Sequence, residues 1–138
     1  METKIVECVP NFSEGRRPEV VQEIASAITS IPGVRLLDQT SDANHNRSVL
    51  TFVGEPNAVK DAAFMAISRA SELIDMEKHS GEHPRIGATD VVPFVPVSGV
   101  TTEDCVELAR SLGQEVADKL HIPVYLYEEA ATCEDRRN

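Results

Sequence analysis

A chain of 138 residues with 41% hydrophobic and 26% charged residues is sized for one compact domain and has the composition of a soluble globular fold. Its formal net charge of -10 argues against a phosphate-tracking surface, so general nucleic-acid binding is not expected. No apolar run is long enough to cross a bilayer, no signal peptide precedes the first strand pattern, and the three cysteines lack CxxC spacing. The expected setting is the cytoplasm, with reduced thiols and no membrane partner.

Ile5, Val6, Cys8 and Val9 form a short apolar run that predicts a strand, stopped by the turn-forming stretch Pro10 to Gly15. Pro18 suits the first turn of a helix, and Val20, Val21, Ile24, Ile28 and Ile31 recur at helical spacing until Pro32-Gly33. Val34 to Asp38 predicts a second strand, Thr40 to Asn46 a polar turn, and Val49 to Val53 a third strand, the last two strands forming a hairpin. A second helix follows Gly54-Glu55-Pro56. Its stripe of Val59, Ala62, Ala63, Ala66, Ile67, Ala70 and Ile74 is small enough to approach a sheet closely.

Val91 to Val97 predicts a fourth strand, edge or interrupted because Pro93 and Pro96 cannot donate ladder hydrogen bonds. Thr101 and Asp104 have capping-box spacing ahead of a third helix with Cys105, Leu108, Leu112, Val116 and Leu120 on one face. Val124 to Tyr127 predicts a final strand, and residues 132–138 form a polar tail. The order predicts an α+β fold: a ferredoxin-like βαββαβ unit with an appended helix–strand pair, its helices on one face of a mostly antiparallel sheet.

Chemistry concentrates in Lys78 to Asp90, where Gly81 and Pro84 break the helical pattern and set polar groups on a loop leading into a strand. His79 to His83 spells H-x-x-E-H, yet that motif needs a helix to bring its histidines together, and Pro84 pushes His83 out of the α region. No metal is therefore expected. His83 as general acid or base is the better reading, since an imidazole titrates near neutrality. The alternative is a loop histidine with no role. Asp90 or Glu14 could orient its ring.

Two other turns carry polar groups. Asn11 to Gly15 follows the first strand, and Asn44 to Arg47 leads into the third; Arg47 has the fork geometry of a carboxylate clamp. Arg16, Arg17 and Arg85 are further candidates to meet an anion in so acidic a chain. Cys8 and Cys105 lie in apolar patterns and Cys133 lies beside carboxylates, so thiol catalysis is not expected.

Val6 to Gly15, His45 to Val49 with Thr51 to Gly54, Gly81 to Asp90, and Ile122 to Tyr127 together resemble the glutamate formiminotransferase family. The resemblance runs through residues 1–131 and covers the N-terminal subdomain of that family. It implies transfer of a formimino group from N-formiminoglutamate to N5 of tetrahydrofolate, the co-substrate, in a cleft completed by a second, C-terminal subdomain. It implies that His83, not His79, is the catalytic histidine. The expected substrate- and folate-binding residues are Asn11, Ser13, Glu14, Asn46, Arg47, Glu82 and Arg85. Thr40 stands where the family often carries an acid. A stand-alone, non-catalytic folate-binding or interaction module with the same fold is the competing expectation. Either way, an unpaired cleft face favours self-association.

Overall fold

Proline sets the breaks in the sheet. The computed structural model describes residues 3–74 and 89–121, and within them the first predicted strand is β1 (Ile5–Cys8), while a short strand β2 (Asn11–Phe12) follows the Val9-Pro10 break inside the predicted turn. The fourth is divided at Val92-Pro93 into β5 (Thr89–Val91) and β6 (Phe94–Ser98). Between these come α1 (Pro18–Thr29), β3 (Val34–Asp42), β4 (Arg47–Gly54) and α2 (Pro56–Leu73), with α3 (Thr102–Leu120) after β6. The chain keeps pairing across both breaks: Val9 N–H donates to Pro93 O at 3.2 Å and Leu50 N–H to Pro10 O at 3.2 Å.

The six strands therefore occupy four tracks, in the order β3, β4, β1 with β2, and β6 with β5. Every pairing among the described residues is antiparallel. The α+β class expected from the pattern is the one observed. Two boundaries move. The strand β3 runs on to Asp42, because its polar residues Thr40 and Ser41 pair with Val49 and Ser48, so the turn is shorter than the polar stretch predicts. Asn11-Phe12 pairs with β4 and β5 instead of turning. The predicted strand Val124 to Tyr127 lies outside the described residues.

Alternation assigns the two faces. Val6 and Cys8 on β1, Phe12 on β2, and Leu50 and Phe52 on β4 are fully buried and pack with Ile24 and Ile28 of α1, Val59, Ala62, Ala63, Ala66 and Ala70 of α2, and Leu112 and Val116 of α3. The alanine stripe makes α2 the central helix, packed on both α1 and α3 and over β1 and β4. Burying each large side chain in such a core is worth about 1.5–3 kcal/mol. Proline opens both α1 and α2, and the Thr101–Asp104 capping box opens α3 as its spacing predicts. The opposite sheet face has no helix over it among the described residues. It presents Ile5, Glu7, Val9 and Asn11, and Val49, Thr51 and Val53, all half-buried, beside the exposed Arg47.

Candidate functional site

Glu14 is the one buried carboxylate among the described residues, and its placement explains the β2–α1 loop. Oε2 accepts the Arg16 and Arg17 backbone N–H groups at 3.1 and 3.0 Å, while Oε1 takes the Arg17 guanidinium at 2.8–2.9 Å. Burial works against the charge, but these hydrogen bonds outweigh it and hold the Glu14 carboxyl below the usual carboxylate range. A negative charge there also faces the positive end of α1. Glu14 shapes the entry to the helix, and Arg17 is spent on it.

The same loop is latched to the β3–β4 turn. Gly15 N–H donates to Asn46 Oδ1 at 2.9 Å, Arg16 Nε to Ala43 O at 2.8 Å, and the buried Ser48 hydroxyl to Glu14 O. Asn46 holds φ at 51°, a left-handed conformation that Asn tolerates better than most residues. Gly15 is where the two loops touch backbone to backbone: a Cβ there would lie 2.5 Å from Arg47 N, Arg47 O and Asp42 O. Within the turn, His45 Nδ1 lies 2.6 Å from Asp42 Oδ2, and that bond holds the Asp42 carboxyl low.

The expected residues thus divide by face. Asn11 and Arg47 belong to the open sheet face, where Asn11 pairs with Val49 and Arg47 stands two residues before Val49 at the start of β4. That makes them diagonal neighbours, about 7 Å apart at Cβ. Thr40 shares the row of Val49 and Asn11. Asn11 Nδ2 donates to Val9 O at 3.2 Å, and the exposed Arg47 forms no ion pair among the described residues. Ser13 and Glu14 are buried in the loop behind this face. Ser48 and Gly15, which join the two loops, are not among the expected residues. The signal for Ser48 was available: it is a polar residue in the core-facing register of Leu50 and Phe52.

Glu82, His83 and Arg85, with His79, lie outside the described residues. Their segment leaves and rejoins the described chain beside the same loop. Arg17 Nη2 donates to Leu73 O at 3.3 Å, tying the end of α2 to the start of α1. On return, Thr89 pairs with Phe12 and Val91 with Asn11. The Thr89 hydroxyl is buried without a hydrogen-bond partner among the described residues.

Other chemistry is sparse. Burial pushes the Cys8 thiol well above its usual range, and it also raises that of Cys105, with Asp104 adding to the effect. Among the described residues no group of three or more His, Cys, Asp or Glu is placed to hold a metal ion, and no helix is long and apolar enough to cross a membrane. A surface groove of about 360 Å³ between α1 and α2 involves none of the expected residues; its Arg69 is already paired with Glu23 and Glu72 at 2.9 Å.

Comparison with known proteins gives this geometry a family. Residues 5–138 match the model of the formiminotransferase domain, N-terminal subdomain. The chain is 53% identical over 135 residues to a glutamate formimidoyltransferase of Streptococcus pyogenes serotype M1, covering 98% of this chain and 45% of that protein. It is 56% identical over 132 residues to a glutamate formimidoyltransferase of Thermoplasma acidophilum, covering 96% and 44%. Against the formimidoyltransferase-cyclodeaminase of Mus musculus it is 53% identical over 135 residues, covering 98% and 25%. The chain therefore spans less than half the length of these relatives, and it belongs to the formiminotransferase family as that family's N-terminal subdomain.

Proposed function

We propose that the chain forms the histidine-bearing half of a glutamate formimidoyltransferase, moving a formimino group from N-formiminoglutamate to N5 of tetrahydrofolate. The fold is read as ferredoxin-like, and the setting as cytoplasmic. The relatives' names support the reaction, and their greater length supports a C-terminal subdomain that completes the cleft. Exposed Leu37, Val95 and Val97 on β3 and β6 support a covered sheet, by that subdomain or, in the isolated chain, by a second copy.

One observation carries the site: the chain on either side of residues 75–88 is tied to β2 and the loop after it, which carry Asn11, Ser13 and Glu14, through Arg17 to Leu73 and through Phe12 to Thr89. In this reading the N5 lone pair attacks the amidine carbon and neutral His83 takes the N5 proton as the tetrahedral adduct forms. His83 then returns that proton to the glutamate nitrogen as the carbon–nitrogen bond breaks, releasing glutamate. Arg47 and Arg85 clamp carboxylates, and Asn11, Ser13, Asn46 and Glu82 position polar groups of the ligands. Glu14 contributes through the shape of the loop.

The test is formimino transfer by this chain beside His83→Ala at matched concentration. Activity lost in the variant supports both the reaction and the base. Equal activity in both removes His83 from the mechanism. With no turnover in either, calorimetric titration with tetrahydrofolate separates an incomplete half-site, which binds, from a chain with no folate role.

A further inference from the structure

We infer that Ser48 is a positioning residue for Arg47, fixing where its guanidinium stands on the open sheet face; the inference rests on the reading of Arg47 as a carboxylate clamp. Arg47 is held on both sides. Asn46 before it accepts the Gly15 N–H at 2.9 Å, and Ser48 after it donates to Glu14 O. A serine hydroxyl has one hydrogen, and Ser48 gives it to that carbonyl. The Ser41 hydroxyl, 3.0 Å away, is therefore the donor to Ser48. The result is a directed chain from Ser41 through Ser48 to the Glu14 carbonyl, crossing from the hairpin to the loop.

Ser48 is 1% exposed and cannot reach the open face, since alternation sends its side chain to the helix side and that of Arg47 to the other. Its effect on a ligand has to pass through the backbone of its neighbour. That backbone is also confined by Gly15, which leaves no room for a Cβ against Arg47 N and O. Removing the hydroxyl leaves the buried Glu14 carbonyl without this donor and frees the first residues of β4 to shift. A clamp that relies on two parallel hydrogen bonds is sensitive to such a shift.

The experiment reads the KM and kcat for N-formiminoglutamate, with the dissociation constant of the same compound by calorimetry, in the unaltered chain, Ser48→Ala, Ser48→Thr, Arg47→Ala and the double variant Ser48→Ala with Arg47→Ala. Ser48→Ala is expected to weaken N-formiminoglutamate binding roughly fivefold, the equivalent of one net hydrogen bond, with kcat within about twofold. Ser48→Thr restores affinity by keeping the donor, and the double variant is no weaker than Arg47→Ala alone. Should Ser48→Ala fail to fold, Ser41→Ala takes its place and shifts affinity in the same direction.

A lowered melting temperature with unchanged affinity in Ser48→Ala overturns the inference, as do independent, multiplying losses in the double variant. Unchanged affinity in Arg47→Ala overturns the clamp reading itself, and so does an unaltered chain that neither binds nor turns over the compound. Those two outcomes are distinct from failure of the positioning role alone, in which Arg47→Ala weakens binding and Ser48→Ala does not.

Discussion

The Glu14 carboxylate meets the Arg17 guanidinium at 2.8 Å, with the acid 3% exposed and the base 48% exposed. The pair joins three parts of the fold, because Glu14 also accepts the backbone that enters α1 and Arg17 also reaches the last carbonyl of α2. Glu14→Ala removes a buried acceptor of charge-assisted hydrogen bonds, and a loss of about 2 kcal/mol in stability is expected near pH 7. Denaturant unfolding of the two proteins measures it.

The same pair sets an acid dependence. The folded-state value for Glu14 lies below its ordinary 4.5, so the group contributes stability that is fully present above that ordinary value. The contribution is lost as the pH falls through the lower folded-state value. Glu14→Gln cannot titrate there. The stability gap between the two proteins, followed by thermal unfolding from pH 7 downward, is expected to hold constant to about pH 5 and then to narrow. A gap that widens on acidification contradicts the arrangement.

Gly15→Ala tests the contact between the two loops. The added methyl meets backbone atoms of Arg47 and Asp42 at 2.5 Å, and backbone on both sides cannot give way like a flexible side chain. Overpacking of this kind costs about 1–3 kcal/mol, and chemical denaturation is expected to read a loss in that range.

These joints also show what the sequence could disclose. Alternation in Val49 to Val53, the Pro18 helix start and the Thr101–Asp104 box are local signals, and each produces the element it predicts. The end of the sheet beside the β2–α1 loop is built from contacts at sequence separations of 31, 34 and 56 residues, joining Gly15 to Asn46, Ser48 to Glu14 and Arg17 to Leu73. No periodicity encodes such pairings. Nor does the sequence show that Glu14, named among the expected ligand-binding residues, turns its carboxylate to the start of α1.

The buried Thr89 hydroxyl has no hydrogen-bond partner among the described residues, and Thr89 pairs with Phe12 where the chain rejoins the loop. An unmade buried hydrogen bond costs about 1–3 kcal/mol, so replacing the hydroxyl by a methyl of similar shape relieves that cost. Thr89→Val is expected to raise the melting temperature. A lowered value means that the hydroxyl is bonded in solution.

Asn46 does two things at once, and two substitutions separate them. Its φ of 51° is a backbone demand, while its Oδ1 satisfies the Gly15 N–H across the latch. Asn46→Gly keeps the backbone at ease and loses the bond; Asn46→Ala loses both. The expected costs are about 1 kcal/mol for Gly, one net hydrogen bond, and about 2 kcal/mol for Ala, with the left-handed penalty added. Hydrogen exchange at the Gly15 amide is expected to speed up in both, because both remove its acceptor. If Asn46→Gly proves the more destabilising, the turn does not need the left-handed residue, and the latch rests on its hydrogen bonds alone.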